Sequence, residues 1–162
     1  MRLAVVSDTH GHYENAKEAV RQMEALDVNL VLHCGDIGTP DIIDLFDKWP
    51  THFVFGNCDY DHWPLEQAIQ ASQQTSHGLY GELNIEGVKI ALLHSHDHFK
   101  FREVIHSEDF DLVCYGHTHR AEQHKLGRTT VLNPGALFRA NPHSFAIVDL
   151  PSLQIEQVKL AM

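Results

Sequence analysis

Short apolar runs that stop abruptly at polar clusters dominate the first third of the chain. Leu3-Ala4-Val5-Val6 gives way to Ser7-Asp8-Thr9-His10-Gly11-His12, Leu30-Val31-Leu32 to His33-Cys34-Gly35-Asp36, and Phe53-Val54-Phe55 to Gly56-Asn57-Cys58-Asp59. Such runs read as buried strands. From Glu14 to Leu26 the apolar residues Ala16, Ala19, Val20, Met23 and Leu26 recur at helical spacing, and Pro40 opens a second stripe of Ile42, Ile43, Leu45 and Phe46. Strand, polar loop and helix in alternation predict a parallel sheet with right-handed crossovers.

An amphipathic stretch from Pro64 to about Gln74 follows, and the pattern then changes to hairpins. Glu82 to Ile85 and Val88 to Leu93 flank Glu86-Gly87, and Leu93 runs into His94-Ser95-His96-Asp97-His98. A helix from about Phe99 to Ser107 leads to Leu112-Val113-Cys114-Tyr115, which ends in Gly116-His117-Thr118-His119. Gly127-Arg128 marks a tight turn, Thr130-Val131-Leu132 runs into Asn133-Pro134-Gly135-Ala136, and Ser144 to Asp149 with Gln154 to Leu160 form a closing antiparallel pair. Two mixed sheets with helices outside is the simplest assembly. No repeat, low-complexity tract or linker divides residues 1–162, which are read as one domain.

The chain's 43% hydrophobic content suffices for one core. Twelve Lys and Arg against 22 Asp and Glu give a net charge of −10, which leaves no basic stripe for stable nucleic-acid binding. It does not exclude a phosphate substrate, because bound metal ions reverse the sign of a pocket. The start is too short and too soon interrupted by Asp8 for a signal peptide, and no long apolar run predicts a membrane span. Three widely spaced cysteines fit a reducing, cytoplasmic setting. Fourteen histidines, scattered internally, are the compositional anomaly.

Chemistry gathers at the strand ends. Ligands in open α/β sheets sit at the carboxyl ends of strands, and there the chain offers Asp8, His10, Asp36, Asn57, His94, His117 and His119. These mixed oxygen and nitrogen donors suit Mn²⁺, Fe²⁺, Zn²⁺ or Ni²⁺ better than Mg²⁺ or Ca²⁺. They exceed the needs of one tetrahedral ion, whereas two ions sharing a carboxylate would use all of them. In an extended turn, residues i and i+2 point the same way, so Asp8 with His10 and His117 with His119 are expected to present paired side chains. Singly, Asp8 and Asp36 read equally well as helix N-caps. His33 reads as a hydrogen-bonded packing residue rather than a ligand.

Taken in order, Asp8-x-His10, Gly35-Asp36, Gly56-Asn57, His94-x-His96 and Gly116-His117-x-His119 resemble the signature of the calcineurin-like metallophosphoesterases. The short length, Gly56-Asn57-Cys58-Asp59 and Asn133-Pro134-Gly135 resemble its small prokaryotic phosphodiesterase branch. The resemblance implies a four-layer α-β-β-α sandwich of two mixed sheets flanked by helices. It also implies Asp8, His10, Asp36 and His119 around one ion and Asp36, Asn57, His94 and His117 around the other, with Asp36 bridging. The expected cofactors are two divalent ions, Mn²⁺ first, with Ni²⁺, Fe²⁺ or Zn²⁺ as alternatives.

The implied reaction is hydrolysis of a small phosphoester by in-line attack of a metal-bridging hydroxide, with His96 and Asn57 meeting the developing charge. Many members of the superfamily carry histidine after the asparagine to protonate the leaving group, and here that position is Cys58. His96 is the expected replacement, with Asp59 and solvent as alternatives. Weak protonation favours diesters or activated esters with good leaving groups over alkyl monoesters. The rival reading is a non-catalytic metal-binding scaffold of the same fold that binds partner proteins, and such a scaffold would tend to lose ligands. A homodimer is the default assembly.

Overall fold

Strands with apolar residues on both faces need cover on both sides, and the fold supplies it. The computed structural model describes residues 1–161; Met162, the last residue of the expected unit, lies outside the described residues. The first half runs β1 (Arg2–Val6), α1 (Tyr13–Ala25), β2 (Leu30–His33), α2 (Pro40–Leu45), β3 (Thr51–Phe53), α3 (His62–Ala71) and β4 (Thr75–Ser76). The second runs β5 (Tyr80–Ile85), β6 (Val88–Leu93), α4 (His98–His106), β7 (Leu112–Cys114), β8 (Ala121–Leu126), β9 (Thr129–Pro134), β10 (Ser144–Asp149) and β11 (Gln154–Lys159). Their order in space is β11-β10-β1-β2-β3-β4 in one sheet and β5-β6-β7-β9-β8 in the other. Both sheets are mixed: β1 to β4 pair in parallel while β10 runs against them and β11, antiparallel to β10, runs with them, and β6, β7 and β9 are parallel between antiparallel β5 and β8.

Alternation along β1 sets the layers. Leu3 and Val5 pack with Leu32, Ile90, Leu92, Leu112 and Leu132 between the sheets. Ala4 and Val6 face the other way, against Ala16, Ala19 and Met23 of α1 and Ile42 of α2. On the far side of the second sheet, Ala91, Val113 and Val131 meet Val104 of α4. Helix, sheet, sheet, helix is the expected four-layer sandwich. Each large aliphatic side chain so buried contributes about 1.5–3 kcal/mol.

Three details depart from expectation. Strand β3 pairs over Thr51–Phe53, so Val54 and Phe55 lie beyond the ladder, buried in the loop toward Asn57. The apolar run there reports burial rather than pairing. Strands β4 and β8 carry no apolar run because each is an edge strand; β8, Ala-Glu-Gln-His-Lys-Leu, is almost wholly exposed, and its charges discourage pairing with another chain. Asp8 and Asp36 do not cap helices: His12 caps α1, and Thr39 holds the N-cap position of α2. His33 is buried as expected, its Nε2 3.1 Å from Thr9 Oγ1 and its ring stacked on Phe53.

Candidate metal centre

Five strand ends, those of β1, β2, β3, β6 and β7, deliver the candidate residues to one edge of the sandwich. Their backbone is not the extended turn that the i, i+2 argument assumed. Asp8, His10, Asp36, His117 and His119 all adopt positive φ, between 46° and 76°. Each such non-glycine residue costs on the order of 1–3 kcal/mol, and persists only where neighbours over-determine it. The neighbours here are one another's loops: Asp8 N–H donates to the Gly35 carbonyl (3.0 Å), His10 N–H to the Asp36 carbonyl (2.9 Å) and His117 N–H to the Asp8 side-chain Oδ2 (3.0 Å). The pairs also separate differently from expectation. Asp8 and His10 converge, whereas His119 turns toward Asp8 and His117 toward Asn57, whose Oδ1 lies 3.1 Å from its Nδ1.

Two carboxylate oxygens form the middle of the site. Asp8 Oδ1 lies 3.6 Å from His10 Nε2, 3.8 Å from His94 Nε2 and 3.2 Å from His119 Nε2. Asp36 Oδ2 lies 3.5 Å from His10 Nε2 and 3.1 Å from His94 Nε2. The ligand atoms fall into three overlapping groups: Asp8 with His10 and His119, Asp8 with Asp36 and His94, and His10 with Asp36 and Cys58. Asn57 and His117 stand beside these groups, and the His94 and His117 rings are 5.1 Å apart.

The histidines are oriented from behind. His94 Nδ1 lies 2.8 Å from the Cys34 carbonyl oxygen and His119 Nδ1 lies 3.1 Å from that of Arg139. A carbonyl only accepts, so both Nδ1 atoms carry protons and both Nε2 atoms of the neutral rings aim lone pairs inward. His94 Nε2 and Asp8 Oδ1 are buried without a hydrogen-bond partner, and the Nε2 atoms of His10 and His119 approach to 3.3 Å. Lone pairs and carboxylates this close are stable only around positive charge. The donor set therefore fits divalent cations, with Asp8 Oδ1 and Asp36 Oδ2 each placed to face more than one histidine.

Electrostatics agree. Burial works against ionisation of Asp8, but His10, His119, His94 and Ser7 outweigh it and hold the carboxyl well below its usual range. Asp36 is likewise lowered, burial being overcome by His94 and the Cys58 N–H. His94 is raised because Asp36 and Asp8 overcome its burial, and His119 is raised chiefly by Asp8. His96 and His117 are lowered, first by burial and then by His94.

Several residues around the cluster escaped the sequence reading or were misassigned by it. Asp59 is not a proton donor to the site: its buried carboxylate accepts from the N–H groups of Ile37 (3.1 Å), Gly38 (3.1 Å) and Gly56 (2.9 Å), tying the Asp36 loop to the Asn57 loop. Gly56 is required because a Cβ there would meet the Asp36 carboxylate, and Gly116 because one would meet Ser7 Oγ and Asp8 Oδ2. Asn15 donates to the Leu137 carbonyl (2.7 Å) and holds the loop that reaches His119. Only proximity in space identifies these roles. His96 lines a recess of about 60 Å³ with Leu79, Tyr80 and Lys100; the larger hollow of about 520 Å³, between α1 and α2, contains none of the candidate residues.

Residues 1–152 match the model of the calcineurin-like phosphoesterase superfamily domain. A phosphodiesterase of Methanocaldococcus jannaschii is 27% identical over 138 residues, 83% of each chain. A solved structure described as a novel archaeal phosphodiesterase superposes with a TM-score of 0.91 at 24% identity, covering 99% of this chain and all of the other. The Zn²⁺ complex of Vps29 from Entamoeba histolytica shares the fold at a TM-score of 0.66 and 17% identity, with 99% of both chains covered. With the family model spanning almost the whole length and the motif residues meeting at one edge of the sandwich, the chain belongs to the calcineurin-like phosphoesterase superfamily.

Proposed function

We propose that the protein is a dinuclear metal-dependent phosphodiesterase acting on a small phosphoester. The observation that carries this reading is the cluster of Asp8, Asp36, His10, His94 and His119, in which a buried carboxylate oxygen and a buried imidazole nitrogen face each other with no partner. Asp8, His10, Asp36 and His119 would hold one ion, and Asp36, Asn57, His94 and His117 the other, with Asp36 shared. Bound there, the ions supply Lewis acidity toward phosphoryl oxygens and lower the proton affinity of water. Mn²⁺ heads the proposed cofactors, ahead of Ni²⁺, Fe²⁺ and Zn²⁺.

The chain's own groups divide the remaining work. Cys34 and Arg139 carbonyls fix the tautomers of His94 and His119. The exposed Asn57 amide and the half-buried His96 would contact phosphoryl oxygens. His96 is the proposed proton donor to the leaving group. Burial and then His94 lower its affinity for protons, which favours leaving groups that need little help and supports a diester or activated ester over an alkyl monoester. Three unpaired cysteines support a reducing, cytoplasmic setting, and among the described residues no helix is long and apolar enough to cross a membrane.

The test is hydrolysis of bis(p-nitrophenyl) phosphate and p-nitrophenyl phosphate by metal-stripped protein, with Mn²⁺, Ni²⁺, Zn²⁺ or Mg²⁺ restored singly. Metal-dependent diester cleavage, faster than monoester cleavage and reduced at least ~100-fold in Asp36→Asn and His94→Ala, is the expected result. Folded, metal-binding protein that cleaves neither ester with any ion would replace this reading with the protein-interaction scaffold.

A further inference from the structure

The surroundings of the cluster differ in charge from one side to the other. On the side of Asn57 and His96, the loops carry Asp61 and Asp97 and the exposed rings of Tyr60 and Phe99, with Asp59 buried below them, and Lys100 beside His96 is paired with Glu103. On the side of His10 and His119, residues 9–13, 118–120 and 135–143 contain no carboxylate and do contain Arg120 and Arg139, and the nearby Asp41 and Glu122 accept from the hydroxyls of Thr39 and Tyr115. This asymmetry stands out in a chain with a net charge of −10.

Neither arginine is used by the protein itself. The ion pairs among the described residues engage Arg2, Arg21, Lys48, Lys100 and Arg128, while the exposed side chains of Arg120 and Arg139 have no carboxylate or hydrogen-bond partner. Arg139 is nonetheless held in place. Its carbonyl accepts the His119 Nδ1 proton, its φ is 53°, and its guanidinium carbon lies 5.3 Å over the Phe138 ring. Phe138 in turn stacks on His12 at 5.2 Å and stands 5.8 Å from the His10 ring. Two steps of 5.3 and 5.8 Å therefore link the guanidinium to a residue of the cluster. Arg120 is joined directly to His119. A planar fork preset on an aromatic face and left without an acid is a receptor for carboxylate or phosphate.

We propose that Arg139, assisted by Arg120, holds a second anionic group of the substrate, so that the protein acts on phosphoesters with an anionic arm lying toward the His119 side. Phosphoesters with a cationic arm are disfavoured there. This rests on the phosphoester reading of the cluster, and it adds a class of substrate to it. The arm is a carboxylate or a further phosphate, since both present the paired oxygens that a guanidinium takes.

Calorimetric titration of Mn²⁺-loaded full-length protein with 4-phosphonobutyrate and with butylphosphonate tests the clamp without requiring turnover. The carboxylated ligand should bind roughly 10-fold more tightly, with the preference shrinking as salt is raised. Arg139→Gln should bring the ratio of the two affinities close to one, Arg139→Glu should reverse it, and Arg120→Gln should reduce it less. Parity in the wild type, or a preference untouched by the Arg139 variants, overturns the proposal, as does failure to bind either ligand. Discrimination between the ligands in a protein that cleaves no phosphoester would sink the hydrolase reading and leave the clamp standing. Hydrolysis without discrimination would do the opposite.

Discussion

Replacing Asp59 by alanine tests whether the candidate centre is held by a carboxylate that never enters it. The side chain is 3% exposed and accepts three backbone N–H groups, two from the loop after Asp36 and one from Gly56. A hydrogen bond to an ionised acceptor contributes ~1.5–3 kcal/mol, and each donor left orphaned in the interior costs ~1–3 kcal/mol. Water entering the space of the lost carboxyl recovers part of that, so about 1 kcal/mol per donor, or ~3 kcal/mol in all, is expected from Asp59→Ala. For a chain of this size that lowers Tm by roughly 6–12 °C. The assay is urea unfolding of metal-free wild type and variant with unchanged m-value, followed by Mn²⁺ titration. Metal affinity should fall ~10-fold to 100-fold, because the Asp36 and Asn57 loops are no longer tied together. A variant within about 0.5 kcal/mol of wild type that binds Mn²⁺ equally well would refute the role.

Acid stability reports a different pair. His52 Nδ1 and His77 Nε2 lie 2.9 Å apart with stacked rings; burial, reinforced by His77, lowers His52 from 6.5 to about 4, and burial lowers His77. A depressed histidine stays neutral when folded while the unfolded chain takes the proton, so stability should be fully present above about pH 6.5 and fall as pH drops toward 4. After discounting for partial exposure this amounts to ~1–2 kcal/mol, and His52→Gln should remove that part of the slope in unfolding measured across the window. Gly116→Ala, whose Cβ would meet Ser7 Oγ and Asp8 Oδ2, should destabilise by ~1–3 kcal/mol and abolish Mn²⁺ binding by titration, unlike Gly87→Ala in the open hairpin turn, which should bind Mn²⁺ as wild type does. Mn²⁺ at about 100 times its dissociation constant should raise wild-type stability by ~2.7 kcal/mol in a thermal scan, and His94→Ala should lose most of that gain.

The parts of the fold that sequence reveals are those where burial dictates residue type. Strands β1, β2, β6 and β7 lie inside their sheets with both faces covered, so all their positions but Arg2, His33 and Lys89 are apolar and the runs are unmistakable. Edge strands β4 and β8 are made by backbone pairing alone, and polar side chains hide them. Strand β3 shows the opposite error, since Val54 and Phe55 are buried beyond the ladder, where their N–H groups donate to the His33 and Gly78 carbonyls. At the candidate centre, residue identities were legible because each cluster follows a strand. Backbone shape was not, because nothing in Asp-x-His or His-x-His reveals that Asp8, His10, His117 and His119 turn left-handed.

Asp59 shows why the rest stayed hidden. By position it follows Asn57 by two residues and reads as one more acid near the reacting group; by contact it serves loops 21 and 22 residues earlier in the chain. The same holds for Arg139, whose carbonyl meets His119 across 20 residues. Motif spacing carries information about side chains that share one loop, whereas support between loops depends on how two sheets bring distant turns together. The left-handed residues and the partnerless Asp8 Oδ1 and His94 Nε2 extend this point. Strain and unsatisfied polarity at one edge of a well-packed sandwich are tolerable only while Asp59, Gly56, Gly116 and the Cys34 and Arg139 carbonyls hold the turns in place. The supporting residues should therefore be as sensitive to substitution, in metal affinity, as the proposed ligands they position.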